Sequence, residues 1–395
     1  MRLLLFPAII IILVNILVDS YIYGILRRRC SRIWPSQVQA WSALVFQLAV
    51  LAAICLPRRG GDNTVLLAVM WTLYAYLTVY LPKYVFVVFD FVSRIPAMMH
   101  RGRAKWLSVA GVGFALAVFV AMWWGALGNR HNLQVKECEI AIENLPKEFD
   151  GFRIAQISDL HVGTFGSDTA FVHSLVDKVN SLRPDVVVFT GDIVNSRTSE
   201  LLPHIKPLSR LQAPHGVFSI LGNHDYGDYS DWPNDIAKLQ NLNELIAFQK
   251  EMGWRLLLNE TDFLHIGNDS IALVGVENIG DPPFKVYGSL AKAYPNPSDS
   301  VTKVLLTHNP AHWTDSIANN PEINIPLTLS GHTHAMQMEI AGWSPAVWRY
   351  DTWGGLYNDA DSTHHLYVNI GDGTVGFPAR IGATPEITIL TLRKR

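Results

Sequence analysis

The stretch IPLTLSGHTH, residues 325–334, runs from an apolar segment, Ile325–Leu329, straight into the polar cluster Ser330-Gly331-His332-Thr333-His334. The apolar part reads as a buried strand and the histidine pair as the loop that follows it. The same layout occurs four times upstream. Phe152–Ser158 runs out into Asp159-Leu160-His161, and Asp185–Thr190 into Gly191-Asp192. Gly216–Leu221 runs into Gly222-Asn223-His224-Asp225, and Lys303–Leu306 into Thr307-His308. Each cluster alone has an ordinary alternative. An Asp after Gly is a common turn former, Asn-His-Asp fits a simple turn, and a single His such as His308 is more often structural. Five clusters at five strand ends are not what turns alone produce. In open α/β sheets ligand sites gather beyond the carboxyl ends of strands, so the pattern predicts one shared site.

Between these strands, Thr169–Leu182 and Asp231–Met252 have helical spacing. Arg255–Leu258, Phe263–Ile266, Ile271–Val276, Leu366–Ile370 and Glu386–Leu392 read as further strands. Helices alternating with buried strands from about Gln134 onward predict an α/β fold class. The donors at the strand ends are carboxylate, imidazole and one amide, without thiolate. That set suits Mn, Fe or Zn. Seven candidate donors exceed what one tetrahedral ion needs, whereas two ions sharing a carboxylate use them all.

The residues before Gln134 are a different material. Of the 32 Lys+Arg and 34 Asp+Glu in the 395-residue chain, residues 1–127 hold 12 bases and three acids, Asp19, Asp62 and Asp90. The first part is therefore +9 and the remainder −11, which sum to the formal net charge of −2. This division excludes a single soluble globular domain, a disordered chain and a generally basic nucleic-acid binder. Four apolar runs predict membrane spans: Leu3–Val18 continuing to about Leu26, Ala40–Pro57, Thr64–Leu81 and Trp106–Leu127. Tyr84–Val92, after Pro82-Lys83, either extends the third span with Lys83 snorkelling or lies in the interface. The first run has no small-residue cleavage site and is followed by three more spans, so it reads as an anchor. The expected division is a transmembrane domain over 1–130 and a catalytic-sized domain over 131–395.

The loops after spans one and three carry Arg27, Arg28, Arg29, Arg32, Arg94, Arg101, Arg103 and Lys105. The other side carries Arg2, Arg58, Arg59, Arg130 and Lys136. Eight against five places the richer loops in the cytoplasm. Both termini and the large domain then lie on the extracytoplasmic side of an inner or cytoplasmic membrane. The three cysteines, Cys30, Cys55 and Cys138, form no zinc or redox motif, and only Cys138 lies in the polar part.

With its five motifs in order over roughly Phe152–Leu392, the polar domain resembles the calcineurin-like metallophosphoesterases, most nearly their membrane-anchored bacterial branch. The resemblance implies a four-layer sandwich, two mixed sheets flanked by helices, behind an all-α membrane domain. It implies that Asp159, His161 and His334 bind one metal, that Asn223, His308 and His332 bind a second, and that Asp192 bridges them. His224 corresponds to the histidine that contacts phosphate and protonates the leaving oxygen, and Asp225 to a residue that orients it. The expected chemistry is hydrolysis of a phosphodiester or pyrophosphate by a hydroxide shared between two divalent ions. Two departures fall at Ala335-Met336-Gln337 and at Gly371-Asp372-Gly373. Met336 and Asp372 are expected at the substrate rim.

Other residues carry weaker expectations. Arg197 reads as a solvated loop charge, with a phosphate contact as the alternative. His364 and His365 read as exposed, and His173, His204, His215, His265 and His312 as structural or surface residues. Gly342–Tyr357, rich in Trp and Tyr, suits a lipid-facing lip, a lid or core packing. The acidic, aromatic tract Asp225–Asp235 suits a pocket rim. A net of −11 argues against nucleic acid. A membrane anchor makes the bilayer a partner and a lipid-linked phosphoester the leading substrate. Soluble phosphoesters and a non-catalytic metal-binding sensor are the alternatives. A transporter is disfavoured because Asp19 and Asp90 fall near the ends of apolar runs. The sequence leaves oligomeric state open. A reporter fused after Gly128 is expected to be active only outside the cytoplasm; activity of a cytoplasm-only reporter there reverses the assigned orientation.

Overall fold

The computed structural model describes residues 2–56 and 63–395; Pro57, Arg58, Arg59 and Asp62, used above, lie outside them. The chain divides into two compact units that part in sequence at Ala126 and Leu127.

Among the described residues of the first unit, four helices are long and apolar enough to cross a membrane. They are α1 (Arg2–Arg29), α2 (Trp34–Cys55), α3 (Asn63–Val92) and α4 (Lys105–Leu127). α3 runs unbroken through Pro82, so Tyr84–Val92 continues the third span. Lys83 does not snorkel. Its Nζ donates to Asp19 Oδ1 at 2.7 Å, beside Gln39 Nε2 at 2.8 Å, while the Tyr80 hydroxyl donates to Asp19 Oδ2 at 2.7 Å. Asn15 joins the hydroxyls of Tyr76 and Tyr84 in the same network. Asp19 is thus an interior acid with a cation of its own, contrary to its reading as a run-end charge. At the far end of α3, Asp90 collects Arg94 Nη2 at 2.9 Å, Arg103 Nη2 at 2.5 Å, Ser108 Oγ at 2.8 Å and Tyr21 Oη at 2.8 Å.

The second unit holds two six-stranded sheets. The first has the order β1 (Gln134–Ile142), β12 (Glu386–Lys394), β2 (Arg153–Ile157), β3 (Val186–Phe189), β4 (Val217–Ser219) and β5 (Arg255–Leu256). The second has the order β10 (Gly355–Asn358), β11 (His365–Val368), β9 (Leu327–Ser330), β8 (Lys303–Leu306), β7 (Asp269–Gly275) and β6 (Glu260–Ile266). β2 to β5 are mutually parallel, as are β7, β8, β9 and β11; β12 against β2, β10 against β11 and β6 against β7 are antiparallel.

The side-chain period of two assigns each strand residue to a layer. Ile154, Val186, Val188, Val304, Leu306, Leu327 and Leu329 fill the space between the sheets. Their neighbours Ala155, Val187 and Phe189 face outward, against Phe171, Val172 and Leu175 of helix α5 (Ala170–Ser181). On the other side, Leu305 and Val274 meet Trp313 and Ile317. Both faces are covered, which is why β3 reads as an uninterrupted VVVF. The expected four-layer α/β sandwich is the fold observed. β10 escaped the sequence reading because it is a four-residue edge strand, GLYN, with no buried residue to mark it.

Replacing Lys83 by Met is expected to lower the stability of the membrane unit by about 3 kcal/mol, since it leaves a buried carboxylate without its cation. Thermal unfolding in detergent measures this, and Asp19→Asn in the same chain should restore part of the loss.

Candidate metal centre

The parallel strands β2, β3, β4, β8 and β9 deliver all seven expected ligands to one place. Two groups form there: Asp159, His161 and His334, and Asp192, His308 and His332, with the ligand atoms of each group within 4.8 Å of one another. In the first, His161 Nε2 stands 3.0 Å from His334 Nε2, which is 3.2 Å from Asp159 Oδ1. In the second, His308 Nε2 lies 3.3 Å from His332 Nδ1. Asp192 Oδ2 links the groups: it lies 3.2 Å from His308 Nε2 of its own group and 3.5 Å from His161 Nε2 of the other.

The backbone is bent to achieve this. Asp159, His161, Asp192, His332 and His334 all have left-handed φ, between 44° and 77°. Non-glycine residues adopt this region at a cost of about 1–2 kcal/mol each, and such strain gathers at functional sites. Close approach also demands glycine. A Cβ on Gly331 would stand 2.0 Å from Ser158 Oγ and 2.2 Å from Asp159 Oδ2.

Hydrogen bonds fix which imidazole nitrogen faces the centre. His308 Nδ1 donates to the Thr190 carbonyl at 2.7 Å, and His161 Nδ1 to the Val194 carbonyl at 3.1 Å, leaving both Nε2 atoms inward. His332 Nε2 is paired with the Tyr350 hydroxyl at 2.9 Å, leaving Nδ1 inward. Asn223 Nδ2 donates to the Tyr229 hydroxyl at 2.9 Å, while its Oδ1 is buried without a partner. An orphaned amide oxygen beside inward imidazole lone pairs and carboxylates is a donor set that fits cations.

The electrostatics point the same way. Burial alone would lower His308, but Asp192 and Asp159 hold it up to about 9. His332 is driven down to about 3 by burial and by His308. Burial works against ionisation of Asp192, yet His308 and His224 hold it well below the usual carboxylate range. The pocket attracts positive charge to its two carboxylates.

Asp225 is placed differently from the expectation that it orients His224. His224 Nδ1 donates to the Asn195 carbonyl at 2.6 Å, and the ring stacks on Tyr229 with centroids 4.2 Å apart. Asp225 does not touch that ring. Its carboxylate accepts the backbone N–H groups of Asp192, Ile193, Val194 and Gly222 at 2.8–3.3 Å, bracing the loop that carries Asp192. Burial and the adjacent Asp192 push Asp225 up to about 7 in spite of these donors. Asn195 and Tyr229 are therefore the positioning residues for His224, and its loop is tied down by Glu200, which accepts the Asn195 N–H at 2.6 Å.

Other expectations are also revised. Met336 lines the cleft, but Asp372 is fully buried, its backbone and carboxylate bonded to Ser158 beneath the Asp159 loop. It sits there because Gly371 and Gly373 pack directly on Asp159 and Leu160. His364 is buried, not exposed, with Nδ1 2.6 Å from Asp359 Oδ2. Arg197 stacks on Trp232 at 4.0 Å and donates to the Asp231 carbonyl at 2.7 Å. The Gly342–Tyr357 segment divides: Tyr350 reaches His332, Trp353 packs inward, and Trp343 and Trp348 are exposed. The sequence reading missed Arg380, whose Nη2 lies 3.3 Å from His334 Nδ1 and which is fully buried. No local pattern announces it.

Two family descriptions match this chain: the probable calcineurin-like phosphoesterase transmembrane domain over residues 1–130, and the calcineurin-like phosphoesterase over residues 152–336. The chain belongs to the calcineurin-like phosphoesterase family. The metallophosphoesterase YkuE of Bacillus subtilis (strain 168) is 31% identical over 268 residues, 67% of this chain and 86% of that protein. A transmembrane protein with metallophosphoesterase domain from Bos taurus is 32% identical over 288 residues, 71% of this chain and 62% of that protein. A metallophosphoesterase of Helicobacter pylori (strain J99 / ATCC 700824) is 29% identical over 290 residues, 71% of this chain and 70% of that protein. Relatives thus extend beyond the bacterial branch that the sequence reading singled out. This calcineurin-like phosphoesterase is a metal-dependent hydrolase with a four-span membrane domain.

Gly331→Ala is expected to displace the Asp159 carboxylate and abolish high-affinity metal binding at the Asp159 group. Metal analysis of the purified variant, read beside an unchanged circular dichroism spectrum, checks this.

Proposed function

We propose that this membrane-anchored phosphoesterase hydrolyses a phosphodiester or pyrophosphate bond of a lipid-linked substrate, with its catalytic unit on the extracytoplasmic side. The observation that supports the two-metal reading is Asp192 Oδ2, which lies within 3.5 Å of a histidine from each of two ligand groups. Asp159, His161 and His334 would hold one divalent ion and Asn223, His308 and His332 the other, with Asp192 available to both. Bound there, Mn, Fe or Zn ions supply Lewis acidity to the phosphoryl oxygens and lower the pKa of water.

The chain's own residues do the rest. His224 spends its Nδ1–H on the Asn195 carbonyl, so Nε2 is the free atom, and it gives a proton to the leaving oxygen from the imidazolium form, returning to the neutral Nδ1–H tautomer. Tyr229 restricts the tilt of that ring by stacking on it. Asp225 keeps Asp192 in place through four backbone N–H groups. The presence of His224 in this held orientation argues against a sensor that merely binds metal. Four spans keep the enzyme at the bilayer, where a lipid-borne ester is concentrated in two dimensions.

A hydrolysis panel on the full chain in detergent tests this reading, with lipid-linked and soluble phosphoesters and Mn, Fe or Zn. Asp192→Asn is expected to lower kcat about a thousandfold, on the order of 4 kcal/mol of barrier. Full metal-dependent activity in that variant overturns the bridging role. Turnover of soluble diesters with none of the lipid-linked esters overturns the lipid assignment.

A further inference from the structure

The cleft over the ligand groups encloses about 530 Å³ and has a mixed lining. Beside Asp192, Asn223, His224, His332 and His334 it is lined by Met336, Met338, Val375, Phe377 and Phe284, the last packed edge to face on His332. No Lys or Arg is among its lining residues. Arg349, next to the lining residue Tyr350, is turned to Asp281 and to the Pro282 carbonyl. Among the described residues, the lining offers a substrate with several phosphates no Lys or Arg. A single phosphoryl group carrying a hydrocarbon body matches this mixed lining.

The apolar wall is held by an unusual run of backbone. His334, Ala335, Met336 and Gln337 have φ of 51°, 49°, 47° and 56°. Four consecutive left-handed L-residues persist only where surrounding contacts impose them. Here Ser344 Oγ donates to the Ala335 carbonyl at 2.6 Å. The Gln337 side chain accepts from Val375 N at 2.6 Å and donates to the Phe377 carbonyl at 3.0 Å, tying both edges of the wall together. The run leaves Met336 39% exposed on the cleft.

Past Met338 the surface stays apolar. Ile340 is 62% exposed, Trp343 46%, Val347 42% and Trp348 79%, and the two indoles meet edge to face at 5.4 Å. Exposed apolar patches continuous with a cleft mark binding surfaces. We infer that the Met336–Phe377 wall and the Trp343–Trp348 pair form a subsite for the hydrocarbon chain of a lipid phosphodiester bearing one phosphoryl group. This deepens the phosphoesterase reading and rests on it. Met is suited to the wall, because its flexible thioether adapts to chains without fixed shape.

The test uses the full-length protein in one detergent. Its substrates are p-nitrophenyl phosphodiesters whose second arm is ethyl, butyl, hexyl or octyl, each below its micellar concentration. KM is expected to fall about two- to fourfold per methylene until the wall is filled. Met336→Gln and Phe377→Gln should flatten this dependence while metal content stays at two ions per chain. Trp348→Ser, at an exposed position whose indole meets only the rim partner Trp343 among the ring contacts, should reduce the gain for the octyl ester. Partition into detergent is common to all variants, so the change in slope reports the wall. A KM independent of chain length, or one slope shared by wild type and all three variants, overturns the subsite alone. Absence of turnover of every ester by the wild type with Mn, Fe or Zn overturns the phosphoesterase reading itself.

Discussion

Asp192 is 2% exposed, and its carboxylate is enclosed by imidazoles on two sides. A buried carboxylate with no fixed cation is among the costliest arrangements a fold can hold. Much of the second unit exists to hold it. Asp225 gathers the N–H groups of the Asp192 loop, Gly222 lets the neighbouring loop approach, and His308 and His161 spend their outer nitrogens on carbonyls so that their inner ones face it. The sandwich makes this possible because its parallel strands end along one edge, where a short loop from each reaches the same point.

That edge is also why so much was legible in the sequence. Strands buried on both faces are written as plain apolar runs, and the polar residues that interrupt them are therefore conspicuous. Asp159, Asp192 and His308 could be found by position alone, one after each run. The role of Asp225 could not. The family resemblance implied that it orients the His224 ring, but the backbone turns the carboxylate back toward four N–H groups and leaves the ring to the Asn195 carbonyl. Backbone carbonyls and amides have no sequence signature. Arg380 stayed hidden for a related reason: its guanidinium is satisfied by the Gly373, Ala383 and Ile370 carbonyls, partners that any residue could supply.

The membrane unit shows the complementary limit. Apolar length identified the spans, because the bilayer constrains length more than side-chain identity. It said nothing about how the polar residues inside them pair. Lys83 looked like a terminal snorkelling residue, and the helix carried it past Pro82 to face Asp19 instead. The Asp90 group was equally invisible, although Arg94 and Arg103 had been counted as loop charges.

The two interior acids differ in when their partners are made. Asp90 is followed by Arg94 four residues later and by Arg103 thirteen residues later, so its neutralising charges leave the ribosome almost with it. Asp19 waits for Lys83, 64 residues downstream. The first helix therefore emerges with an uncompensated acid at a depth where charge is expensive. Gln39 of the second helix can reach the same carboxylate earlier, but it brings no charge. The ion pair that neutralises the first helix is therefore complete only once the third has been synthesised.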